Sequence, residues 1–266
     1  MRRREFVTFL GGAAAWPVAA RAQRREKMRR IGVLMNLAAE DAEGQARLAA
    51  FLQGLQEAGW GVGRNTHIDI RWGAGSAERY RTYAAELVAL APDVVLAAAG
   101  STVPALLQAT RAVPIVFAQT PDPVGAGFVD SLARPGGNVT GFTPFEFGMS
   151  GKSLELLKEI VPRVTRAAVL RDAADPGGIG RWAAIQSMAP SLGVEVILVP
   201  LRDPGEIDRA LTAFASGANG GLIVTASAPA AIHRELIIES AAKHGLPAVY
   251  PYPFFASSGG AYRLWA

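Results

Sequence analysis

Several side chains in this sequence could hold a small charged molecule, and the chemistry they suggest is recognition rather than bond breaking. Gly100-Ser101-Thr102 follows an apolar run and opens a helical pattern. There, two hydroxyls and free backbone N–H groups either cap the helix or face a ligand anion such as a carboxylate. Asp122, in Thr120-Pro121-Asp122-Pro123, and Asp172, which follows Arg171 and precedes Asp175, could hold an ammonium group from opposite walls. Both could equally be turn-forming aspartates. Tyr252, with Phe254 close behind, offers an aromatic face for a ring or cation, or else a piece of core. Asn36, Thr120 and Ser227, with Thr225 beside the last, complete the ligand-binding candidates.

Patterns that would carry stronger chemistry are incomplete. Gly148-Met149-Ser150-Gly151-Lys152-Ser153 ends like a phosphate-binding loop, but Glu146 stands where the first glycine must be. Gly136-Gly137 with Gly141 has the wrong spacing for a dinucleotide fingerprint. His67, His233 and His244 share no metal-ligand spacing, and the chain has no cysteine. No nucleophile elbow with a plausible triad is present. We therefore expect no cofactor, no metal and no catalysis. Because fold alone does not fix function, an exported hydrolase or isomerase stays as a rival, as does a ligand-presenting sensor.

The elements that must position these residues alternate. Short apolar runs at 30–35, 93–98 and 114–118 read as strands and 66–72 alternates as one, with helices expected at 43–58, 76–90 and 102–111. The pattern restarts with a helix at 149–160. Strands are then expected at 166–170, 194–199, 220–225 and 247–250, and helices at 178–191, 204–215 and 229–243. Apolar strands separated by helices predict parallel sheets covered on both faces. Two such runs of similar size predict an α/β protein of two doubly wound lobes, 30–139 and 140–260, joined by a hinge. A single (β/α)₈ barrel is the rival, but the irregular stretch 119–148 suits an interlobe connection better. Pro135-Gly136-Gly137-Asn138 turns the chain after the first lobe, and Val139 to Phe142 reads as the step into the second. In open α/β sheets ligands sit beyond the carboxyl ends of the strands, where the candidate residues above fall.

Composition narrows the class. The chain has 266 residues, half of them hydrophobic, and a net charge of +4. Residues 1–22 carry +3 and 24–30 carry +4, which leaves −3 from Ile31 onward. An acidic body without a basic, aromatic-interleaved patch argues against nucleic-acid binding. The front, MRRREFVTFLGGAAAWPVAARAQ, has paired arginines, a short apolar middle and a small-x-small site ending at Ala22. It reads as a twin-arginine-type signal peptide over 1–22, followed by a basic linker at 23–29, and places the mature chain in the periplasm.

The order RIGVLMN, FLQGLQEAGW, ELVALAPDVVLAAAGS, PIVFAQTPDPVGAGFVDSLARPGGNVTGF, LELLKEIVP and HGLPAVY resembles the ABC-transporter substrate-binding protein family that includes the tryptophan- and tyrosine-binding type. The resemblance covers residues 29–260. It implies a type I periplasmic binding fold, capture of an amino acid or an aromatic or carboxylate compound between the lobes, and a monomer. It also implies delivery to an inner-membrane ABC permease driven by a separate ATPase. Asn36, Ser101, Thr102, Asp122 and Asp172 lie in loops matching the family's cleft loops. Members of the family normally run on past the stretch matching 250–260, so the resemblance also implies a shortened C-terminus, an atypical tail at 261–266 and weakened lobe closure.

Overall fold

The structure is a computed structural model that describes residues 28–144 and 149–260. The expected signal peptide, the front of the basic linker and the tail at 261–266 lie outside the described residues.

Two parallel sheets form where the apolar runs were expected. The first holds β1 (Arg29–Met35), β2 (Thr66–Trp72), β3 (Val94–Ala97), β4 (Ile115–Phe117) and β5 (Val139–Gly141), in the order β2-β1-β3-β4-β5. Its helices are α1 (Ala42–Glu57), α2 (Ala77–Ala89) and α3 (Val103–Ala109). The second holds β6 (Arg166–Arg171), β7 (Glu195–Pro200), β8 (Gly220–Val224) and β9 (Ala248–Val249), in the order β7-β6-β8-β9. Its helices are α4 (Met149–Ile160), α5 (Gly178–Leu192), α6 (Pro204–Ala215), α7 (Ala228–Ile232), α8 (Arg234–Lys243) and α9 (Pro253–Ser257). Two open sheets exclude the single closed barrel.

The strand period of two explains why both faces are covered. In β6, Ala167 and Val169 pack with Leu154, Leu157 and Ile185 of α4 and α5. Ala168 and Leu170 point the other way, into the core of α6 and α8 built on Leu211, Phe214 and Ile237. β1 repeats the device: Ile31, Val33 and Met35 meet Leu48 and Phe51 of α1, while Leu34 meets Leu87 of α2. The helix starts are chemically marked. Asp41 accepts from the N–H groups of Glu43 and Gly44, Ser76 from Arg79, and Asp203 from Glu206.

Three details differ from expectation. Val139–Gly141, read as the step into the second lobe, pairs with β4 as Val139↔Ile115, Thr140↔Val116 and Gly141↔Phe117. The first sheet thus extends past the 139/140 boundary, tied there by Asn138, whose Nδ2 donates to the Val113 carbonyl at 2.8 Å. The helix expected from 102 starts instead as a 3₁₀ turn, Gly100–Thr102, ahead of α3. The helix expected over 229–243 breaks at His233 (φ −97°, ψ 21°), which frees the next residue, Arg234, to bridge Ala231 and Asp41. The Pro-Gly-Gly turn forms as read: Asp130 N–H reaches the Pro135 carbonyl and Gly136 adopts φ 83°.

Candidate functional site

The carboxyl ends of strands from both sheets converge on a polar pocket. Asn36 comes from the end of β1, Ser101 from the end of β3, and Gln119 and Pro121 from the end of β4. Facing them are Asp172 and Asp175 after β6, Ser227 after β8 and Tyr252 after β9. Loops at strand ends are the one place in such sheets where side chains can vary without disturbing the core, which is why they carry recognition.

Asn36 is 3% exposed, and its Oδ1 has no protein hydrogen-bond partner. A buried acceptor left unpaired costs roughly 1–3 kcal/mol, so a donor arriving from a ligand is favoured there. The Asn36 carbonyl is held by the Tyr80 hydroxyl, which donates at 3.1 Å, and Ser101 Oγ lies beside that phenol. Burial pushes the Tyr80 hydroxyl up in pKa, which keeps it a neutral donor.

Opposite, Asp172 is 8% exposed, and one of its oxygens accepts from the Ala174 N–H at 2.8 Å. Burial raises its carboxyl above the usual aspartate range, against the pull of that N–H and of the Arg181 and Arg171 guanidiniums, while Asp175 adds to the rise. A cationic group placed beside Asp172 would relieve this burden. Asp175 is itself paired with Arg181. The Arg47 guanidinium lies 5.7 Å from the Tyr252 ring centroid and 5.9 Å from that of Phe254, with Nε bonded to Glu43. The pocket thus pairs buried acceptors with an aromatic-stacked cation, an arrangement complementary to a zwitterion.

Most of the other candidates turn away from the pocket. Thr102 is fully buried, and its hydroxyl donates inward to the Ala99 carbonyl at 2.7 Å. Thr120 is 1% exposed, with its hydroxyl turned to the Ala118 carbonyl at 3.3 Å. Asp122 caps its own turn, accepting from the Gly125 N–H at 2.9 Å with φ 49°. Thr225 donates to the Leu170 carbonyl at 2.8 Å. Ser227 lines the pocket and also caps α7 through the Ala230 N–H. Arg47 escaped sequence reasoning because Glu43-x-x-x-Arg47 reads as an ordinary solvent-facing helix ion pair.

Glycines let the two lobes meet. A Cβ on Gly177 would lie 2.9 Å from the Pro121 carbonyl oxygen, and one on Gly180 2.9 Å from Asp122 Oδ2. The amino end of α5 therefore rests directly on the loop after β4. Arg234 Nη1 also donates to Asp41 Oδ2 at 2.8 Å across the lobes, with both side chains largely buried.

The two doubly wound lobes meet over this polar pocket. The model of the family described as ABC transporter substrate binding protein matches residues 32–261, and the chain belongs to that family, a solute-binding family rather than an enzyme family. Among curated proteins, the chain is similar to a tyrosine-binding protein of Clostridioides difficile, at 26% identity over 164 residues. That match takes in 62% of this chain and 47% of the relative, so it spans about half the relative's length. Among solved structures, a conserved domain protein from Vibrio cholerae superposes with TM-score 0.79 at 25% identity, covering 88% of this chain and 77% of that one. An ABC domain from Streptococcus pneumonia in complex with L-Trp gives TM-score 0.75 at 24% identity, covering 87% and 77%.

Proposed function

We propose that this chain is the periplasmic solute-binding component of an ABC uptake transporter, capturing a small zwitterion or an aromatic carboxylate in the pocket between its lobes. The reading is carried by the opposition of Asn36 Oδ1, a buried acceptor without a protein partner, to the buried carboxyl of Asp172 across that pocket. An α-ammonium placed between them satisfies both acceptors at once. Arg47 and the N–H groups around Gly100 and Ser101 take the carboxylate, and Tyr252 takes an aromatic body. The lobes, divided near residue 140, hinge open to admit the ligand and close because it binds the closed form more tightly. After export and removal of residues 1–22, the monomer presents the closed form to an inner-membrane permease with a separate ATPase. The similarity to a tyrosine-binding protein and to an L-Trp complex supports amino acids as the first ligands to test.

The test is calorimetric titration of the full chain with L-tyrosine, L-tryptophan and aromatic carboxylates. Saturable binding of at least one, lost in Asp172→Asn, is expected. Failure of the whole panel, or binding unchanged by Asp172→Asn, overturns the reading.

A further inference from the structure

A second chamber lies wholly within the C-terminal lobe, and the interlobe pocket does not explain it. It lies between the start of α4, the first turns of α5 and the ends of β8 and β9, and is partly open to solvent. Arg181 is the only charged side chain on its wall among the described residues. That side chain is 4% exposed, and Nη2 is committed to Asp175. Nε and Nη1 are buried with no protein partner. A guanidinium cannot shed its proton, so these donors cannot be silenced by titration and call for an acceptor from elsewhere.

The surroundings say which acceptor. Ser150 and Ser153 contribute hydroxyls, whereas Ile185, Ile223 and Val249 make one wall apolar. Among the described residues no aspartate or glutamate lines the chamber. Asp175 belongs to the interlobe pocket, and Arg181 belongs to this one. Their ion pair therefore forms part of the partition, with Ala226 common to both sides. A buried cation with unmet donors, flanked by hydroxyls and backed by aliphatic side chains, is complementary to a small acid with a short hydrocarbon body.

We propose that this chamber is a carboxylate site separate from the interlobe pocket. Arg181 Nε and Nη1 receive a short aliphatic monocarboxylate, and Ile185, Ile223 and Val249 receive its alkyl group. The proposal does not rest on the interlobe reading, since every residue it uses comes from one lobe.

The probe is propionate, with propionamide as its uncharged counterpart, titrated into the full-length chain and followed by the arginine side-chain N–H signals in NMR. We expect propionate to shift the Arg181 Nε–H resonance saturably. Propionamide should bind at least tenfold more weakly, and Arg181→Gln should abolish the effect. Because Arg181→Gln strands Asp175, the paired variant Asp175→Asn/Arg181→Gln must lose propionate as well while keeping a cooperative melt. Arg47→Gln, in the other pocket, should leave propionate binding intact. Equal binding of propionamide, no shift at Arg181, retention of binding in the paired variant, or displacement of propionate by an interlobe ligand would each overturn the proposal. An empty amino-acid panel alongside a positive propionate titration would fail the interlobe reading alone.

Discussion

Burial of Asp172 costs the folded chain stability at neutral pH, and in the proposed function a bound ammonium would recover it. In the ligand-free protein its carboxyl titrates above the ordinary 3.8, chiefly through burial. A raised folded-state pKa means the folded chain holds this proton more tightly than the unfolded one. The group's contribution is therefore favourable at low pH and is lost as pH rises through the folded value. Asp172→Asn should accordingly raise the melting temperature at pH 7 by about 2–4 °C, readable by calorimetry. For an ammonium-bearing ligand the sign reverses, because the ionised carboxylate is the form that binds. Affinity should fall as pH drops through the raised Asp172 value. Asp172→Asn should flatten that profile and cost about 1.5–3 kcal/mol of binding at pH 7. Unchanged stability together with unchanged pH dependence would show that Asp172 faces no ligand.

The amino end of α5 and the loop after β4 are in direct contact, and under the proposed function this is where the lobes would shut. Gln119 and Asp122 in that loop take left-handed backbone angles, φ 53° and 49°, that non-glycine residues seldom adopt. Gly177, just before α5, and Gly180, in its first turn, leave no room for a side chain against it. Gly180→Val should leave each lobe's core intact, so the melting temperature should shift little. Ligand affinity should fall at least tenfold, as calorimetry would report, because closure is blocked. Much of this was legible beforehand. Apolar runs such as those of β1 and β6 announce buried parallel strands, and the strand-end rule gathers Asn36, Ser101, Asp172, Ser227 and Tyr252. The hydroxyls were not legible, because packing decides whether each one faces the pocket or, as at Thr102 and Thr120, a nearby backbone carbonyl. The role of β5 was hidden as well. A three-residue run after a glycine turn reads as a connector until pairing with β4 is seen.

The molecule as a whole carries an ionic latch between its lobes. Asp41 caps α1 in one lobe and accepts from Arg234 at the start of α8 in the other. Burial alone would raise the Asp41 carboxyl, but the bond from Arg234 and the N–H groups of Gly44 and Glu43 outweigh it and hold the pKa below 3.8. The latch therefore contributes above that value and is lost as pH falls through the lowered one. Arg234→Ala should increase the radius of gyration of the ligand-free chain in small-angle scattering, and Asp41→Asn in the same background should add little. An unchanged radius would mean that the pair merely decorates a contact held by other forces. The proposed site is tested most directly by a crystal structure of the full chain grown with the tightest-binding amino acid. Density should lie between Asn36 and Ser101 on one side and Asp172 and Tyr252 on the other, with the ammonium within hydrogen-bond reach of Asn36 Oδ1 and Asp172. Density lodged against one lobe only, or an ammonium turned toward Arg47, would contradict it.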